Sequence, residues 1–172
     1  MKKNFFFLLI FFVFGCSSDS NVISKSLCPI VLFSSEHKNY IHGDIENLSI
    51  DNLSYTAEIN NYSINNDCKT YNQFIEGELS ILFIVRPERP KKIDVMLPFY
   101  IAFLDSSDEL IEIQYFKAEG KFLRDKDKNF YQETEISKKI PFKFNNYNKE
   151  NYLGAKFIIG FMIEEKKLEL IN

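Results

Sequence analysis

Two stretches of this chain alternate with a period of two, and that period limits the folds open to it. In Gly77 to Arg86, the residues Leu79, Ile81, Phe83 and Val85 share one face. In Ala155 to Glu164, the residues Phe157, Ile159, Phe161 and Ile163 do the same. Successive side chains of a strand point to opposite faces, so each stretch has one core face. Leu82 and Ile84 make the first stretch apolar on both sides over its second half, which predicts a central strand or a covered outer face. Leu53 to Asn61 repeats the pattern, with Tyr55, Ala57 and Ile59 inward and Thr56, Glu58 and Asn60 outward.

Shorter signals fill the space between. Ile30 to Phe33 reads as a first strand, and Ser34 to Asn52 as loop with a further short strand around Tyr40 and Ile41. Asn61 to Asn72 is rich in Asn and reads as a turn. After the turn Pro87-Glu88-Arg89-Pro90 comes the long apolar run Lys92 to Leu104. Pro98 interrupts that run, which predicts an edge position, a bulge or a switch between sheets. Asp105-Ser106-Ser107-Asp108 is a turn, and Glu109 to Lys117 returns as its hairpin partner. Arg124 to Asn129 reads as a charged loop, Glu133 to Ile140 as a strand ended by Pro141, and Glu164 to Ile171 as one helical turn. About seven strands without βαβ alternation predict an all-β domain over residues 28–172. The expected form is an antiparallel β-sandwich, immunoglobulin-like in kind, with a small β-barrel as the alternative.

The N-terminus has a different character. Lys2 and Lys3 precede Phe5 to Phe14, ten apolar residues of which six are Phe. A bilayer-spanning helix needs roughly 20 apolar residues, so the layout is that of a secretory signal peptide over residues 1–15. Val13-Phe14-Gly15-Cys16 resembles the lipobox of bacterial lipoproteins, with Phe14 departing from the small or polar residue usual there. That resemblance implies cleavage before Cys16, lipid on its thiol and an acylated amino group. Two or more acyl chains anchor stably, at about 0.8 kcal/mol per buried CH₂. Residues 16–27 are then the lipidated Cys and a polar tether. Ser17 in place of Asp implies the outer membrane, facing the periplasm.

Removing residues 1–15 from the 172 leaves 157, one ordinary domain. The cut removes two of 21 basic residues and none of 24 acidic ones, for a formal charge of about −5. An acidic chain without a basic cluster is a poor nucleic-acid binder. With Cys16 lipidated, Cys28 and Cys68 are an even pair in an oxidising compartment, which predicts a disulfide closing a loop of about 41 residues.

Several landmarks occur together: Cys28-Pro29-x-Val31, Tyr55-x-Ala57-x-Ile59, Cys68, Leu97 to Ala102, the turn at Asp105, Ile140-Pro141 and Gly160-Phe161. In this order they resemble a family of uncharacterised cell-envelope lipoproteins of alphaproteobacteria. The resemblance implies a lipidated envelope protein and carries no catalytic residue with it.

Chemistry-bearing residues are few. Glu36, His37, His42 and Asp44 have metal-ligand side chains but fall in one loop without the spacing of a zinc site. Ser34-Ser35 lacks a G-x-S-x-G setting. Asp105, Asp108 and Glu109 lack the spacing of a calcium loop and are explained as a hairpin turn. Tyr100, Phe116, Phe122, Phe130 and Tyr131 are aromatics outside a simple inward set, either core cover or a partner-binding patch. The expectation is a non-enzymatic, lipid-anchored protein without cofactor or metal, held to the membrane through Cys16 and binding or helping assemble an envelope partner. A carrier of a lipid or apolar ligand is the alternative, and a cell-wall enzyme a third.

Overall fold

The computed structural model describes residues 28–43, 49–71, 74–90, 92–125, 130–145, 154–165 and 167. The expected signal peptide, Cys16, the expected tether, Asp44, residues 126–129 and the end of the expected helical turn lie outside them. The described chain forms ten strands: β1 (Ile30–Phe33), β2 (Asn39–Gly43), β3 (Leu53–Thr70), β4 (Phe74–Pro87), β5 (Asp94–Leu104), β6 (Leu110–Lys121), β7 (Arg124–Asp125), β8 (Phe130–Tyr131), β9 (Thr134–Asn145) and β10 (Lys156–Phe161).

Eight of these make a β-sandwich. One sheet has the order β1-β10-β5-β6 and the other β2-β3-β4-β9, with β7 and β8 forming a separate ribbon. All pairings are antiparallel except that of β1 with β10. Neither sheet closes on itself, so the fold is a sandwich and not a barrel. The chain crosses between sheets after β1, after β4, after β6 and after β9, which lays β9 beside β4 and β10 beside β5. The core is the space between the sheets. Phe83, Phe99, Phe103, Phe144, Phe157 and Phe161 are fully buried there with Leu79, Ile81 and Leu97.

β4 lies inside its sheet, between β3 and β9, and Ile84 on its outer side is buried as well. Asn61 to Asn72, expected as a turn, is instead mostly strand: β3 runs on to Thr70 against β4. Register shifts between Ile59 and Asn61 and between Asn65 and Lys69 absorb the extra residues as bulges. The apolar partner strand outweighs the low strand preference of Asn. Pro141, expected to end a strand, sits inside β9 opposite Glu78. β9 is an edge strand, with one side free of a ladder, and an edge tolerates a residue without N–H.

Pro98 meets its expectation locally. β5 is a central strand, but β10 pairs with it only from Leu104 to Phe99. Pro98 lies just past that ladder, where its carbonyl accepts a last bond from Met162 N–H at 2.9 Å. On the β10 side, β5 is therefore an edge from Pro98 back to Asp94. Cys28 and Cys68 form the expected disulfide, with Cα atoms 5.2 Å apart. Two glycines admit an aromatic ring from the residue paired with them. A Cβ on Gly77 would lie 2.7 Å from the Phe142 ring, and one on Gly160 would lie 2.6 Å from the Tyr100 hydroxyl.

Candidate functional site

The early end of β10 leaves a cleft of about 630 Å³ between the two sheets. Tyr40, His42 and Tyr55 of β2 and β3 form one wall, and Asp94, Met96 and Pro98 of β5 form the other. Met96 N–H and C=O project toward the place that a longer β10 would fill. Tyr55, an inward residue of the opposite sheet, fills it with its side chain. Its hydroxyl donates to Met96 O at 2.9 Å and accepts from Met96 N–H at 3.3 Å. One phenol thus satisfies both backbone groups of an otherwise open edge.

His42 lies opposite Tyr55 in the β2–β3 register, and its ring stacks on the Tyr55 ring at 4.6 Å and 16°. Tyr40 packs behind, 6.4 Å from Tyr55 and 5.3 Å from Phe161. The turn after β10 returns over this group. Lys167, only 5% exposed, has its Nζ 3.8 Å from Glu164 and 5.5 Å from the centre of the Tyr40 ring. At the rim, Lys92, Asp94, Glu119 and Lys121 place both signs of charge, with Lys121 and Asp94 paired at 3.8 Å.

Burial sets the protonation states. It lowers the His42 pKa below the ordinary 6.5, and the Lys167 ammonium lowers it further, so the imidazole is neutral at pH 7. Burial raises the Tyr40 phenol well above its ordinary range, with Tyr55 and Glu164 adding to the shift. Tyr55 is raised by burial, partly offset by its hydrogen bond with Met96. The cleft therefore offers neutral rings, phenol hydroxyls and a rim of fixed charges. Among the described residues, its lining holds no Ser, Thr or Cys to act as a nucleophile beside His42. These groups are suited to stacking, hydrogen bonding and charge pairing.

The residues singled out in the sequence scatter. His37 closes the other open ladder: its Nδ1 is 3.0 Å from Phe161 O, and its own carbonyl accepts from Phe161 N–H at 2.7 Å. It thereby continues the role of β1 beyond Ser34, whose N–H bonds Ile159 O. His42 belongs to the cleft, away from His37, and Glu36 is exposed in the β1–β2 connection. Among the described residues, no three His, Cys, Asp or Glu side chains gather as metal ligands. Asp105 Oδ1 accepts from Ser107 N–H and Glu109 N–H at 2.8 and 3.0 Å, and Asp108 takes a positive φ of 65°, so this acidic run is a hairpin turn. Phe122 is core, Phe116 and Tyr131 pack against it, Phe130 is exposed on the β7–β8 ribbon, and Tyr100 lies over Gly160.

Tyr55 and Met96 carried no signal of their own in the sequence. Tyr55 reads as one more inward residue, and its task arises because β10 stops opposite Phe99 and leaves Met96, 41 positions away in sequence, without a ladder partner on that side. The class of structure is a two-sheet sandwich with an open cleft at one end. Comparison with protein-family models, with curated proteins and with solved structures found no match.

Proposed function

We propose that the chain is a lipid-anchored cell-envelope protein that works by binding, and that its end cleft receives a protruding segment of an envelope partner. It belongs, in this proposal, with the alphaproteobacterial lipoproteins it resembles, and sits through Cys16 in the outer membrane facing the periplasm. The observation that carries the binding role is the cleft itself: about 630 Å³, walled by Tyr40, Tyr55 and His42 and rimmed by charges of both signs. Aromatic walls with a polar rim are the composition of a recognition site. The neutral imidazole and the two high-pKa phenols make poor acid–base groups at pH 7, which supports binding over catalysis.

The test is crosslinking and capture in cells with the intact chain, with His42→Glu and with Cys16→Ala behind a soluble signal peptide. A partner captured by the intact chain and lost with His42→Glu supports the cleft as its site. Capture that is indifferent to His42→Glu sinks it. Loss with Cys16→Ala alone shows that the lipid anchor is needed to bring the two together.

A second reading rests on the size of the cleft, which falls in the range of small-ligand sites. The protein would then carry an apolar ligand. Solvent extraction of the purified chain separates the two: a stoichiometric lipid favours the carrier, and its absence favours the partner.

A further inference from the structure

The two outer faces of the sandwich differ in chemistry. On the β2-β3-β4-β9 sheet every cross-strand row carries charge or polar groups. Glu58 pairs with Lys38 at 3.8 Å and Arg86 at 3.6 Å, Arg86 with Glu133 at 2.7 Å, and Glu78 with Lys139 at 4.0 Å. On the β1-β10-β5-β6 sheet one row reads Leu32, Ile158, Ala102, Ile113 across all four strands. The next row toward the cleft reads Gly160, Tyr100, Tyr115, and the row on the other side reads Ile30, Lys156, Leu104, Leu110. The one cation in these three rows, Lys156, is paired with Asp108. Charge on this face begins beyond them, toward the cleft end, with Lys117 and then Glu119 and the Lys121–Asp94 pair. Tyr115 is 62% exposed, Leu110 60% and Ile30 53%.

From this face we infer that the β1-β10-β5-β6 sheet lies flat on the lipid bilayer that holds Cys16. The inference rests on the lipid anchor proposed above and adds the surface that meets the membrane. The tether identifies the occupant. Eleven residues separate Cys16 from Cys28, which reach at most about 40 Å. Cys28 then leads into β1, the edge strand whose Ile30 and Leu32 open the apolar face. The root of the tether is thus at the border of that face, and a short tether holds the bilayer there at high effective concentration. Tyr100 and Tyr115 add rings of the kind that settle at the boundary of lipid and water. The opposite sheet would bring the carboxylates of Glu58, Glu76, Glu78 and Glu135 to the headgroups instead.

The experiment places a photoreactive benzoylphenylalanine at Tyr115 or, as control, at Ser137 on the opposite face. Both sites are exposed, and the full chain keeps its own signal peptide. Intact mass spectrometry reads the acyl groups on Cys16 and any photoproduct. The expected result is an acylated chain that gains a phospholipid at position 115 at least tenfold more than at 137. An acylated chain with equal lipid adducts at both sites overturns the docking surface and leaves the anchor standing. A protein adduct at 115, or a crosslinked dimer, overturns it in favour of a protein partner or a second copy. A chain without acyl groups on Cys16 overturns the anchor itself, and the docking with it.

Discussion

The two ends of the sandwich are built from the same aromatic material in opposite ways. Near Cys28 and Cys68 the core is apolar. Phe103, Phe142, Phe144 and Phe157 meet with ring centres between 4.8 and 6.0 Å apart, and none carries a polar atom. The disulfide ties the start of β1 to β3 at this end. At the far end Tyr40, Tyr55 and His42 take the place of Phe, because backbone groups of β5 and a buried Lys167 need polar neighbours there. At the disulfide end Phe rings fill the core. Tyr55 and His37 bond backbone groups where a ladder stops short.

The apolar end carries the larger energies. Phe157→Ala opens a cavity among three rings and is expected to cost up to about 5 kcal/mol, read as a lower urea midpoint with unchanged slope. Replacing Cys28 and Cys68 together by Ser releases a loop with a sequence separation of 40 and is expected to cost about 4 kcal/mol. Tyr55→Phe keeps the ring but strips Met96 N–H and C=O of their partner, for an expected loss of about 1–2 kcal/mol. A Tyr55→Phe loss equal to that of Phe157→Ala would end the distinction between a packed end and a patched one.

Titration sharpens the same comparison at smaller amplitude. His42 has a folded pKa below 6.5, so the unfolded chain takes up its proton first. Its contribution to stability is full above pH 6.5 and is lost as pH falls through the folded value. In His42→Gln that part of the acid-side slope is expected to vanish, as measured by urea melts from pH 7 down to pH 5. Tyr40 and Tyr55 have raised folded pKa values, so their contribution is full below pH 10 and is lost as pH rises through the folded values. A spectroscopic titration of tyrosinate should show two phenols that ionise only as the chain unfolds. Both signals belong to the open end, and removing the disulfide at the other end should leave the His42 midpoint in place.

The strands of the core were legible from period alone. Leu79 to Val85 and Phe157 to Phe161 alternate because each has one buried face, and the pairing of Cys28 with Cys68 followed from their being the two thiols left after Cys16. Asn61 to Asn72 was misread because local preference opposes strand, while β4 supplies a partner that only the fold brings alongside. Pro141 was misread as a terminator because nothing local says that β9 is an edge. Of the cleft, His42 stands out in the sequence for its chemistry, but its partner in the fold is Tyr55 and not His37, and Tyr55 reads from the sequence as inward without its task.

The sequence by itself determined the all-β class, the inward faces, the disulfide pair and the expectation of an anchor at Cys16. These depend on local period and on counting, and both are properties of the chain as written. The tertiary structure alone decided where β10 stops, that Tyr55 completes the edge of β5, that His42 covers Tyr55, and that one sheet has adjacent apolar rows on its outer face while every row of the other carries charge or polar groups. These depend on strand order and register. Residues as far apart as Leu32, Ala102, Ile113 and Ile158 become one surface only when four strands are laid side by side.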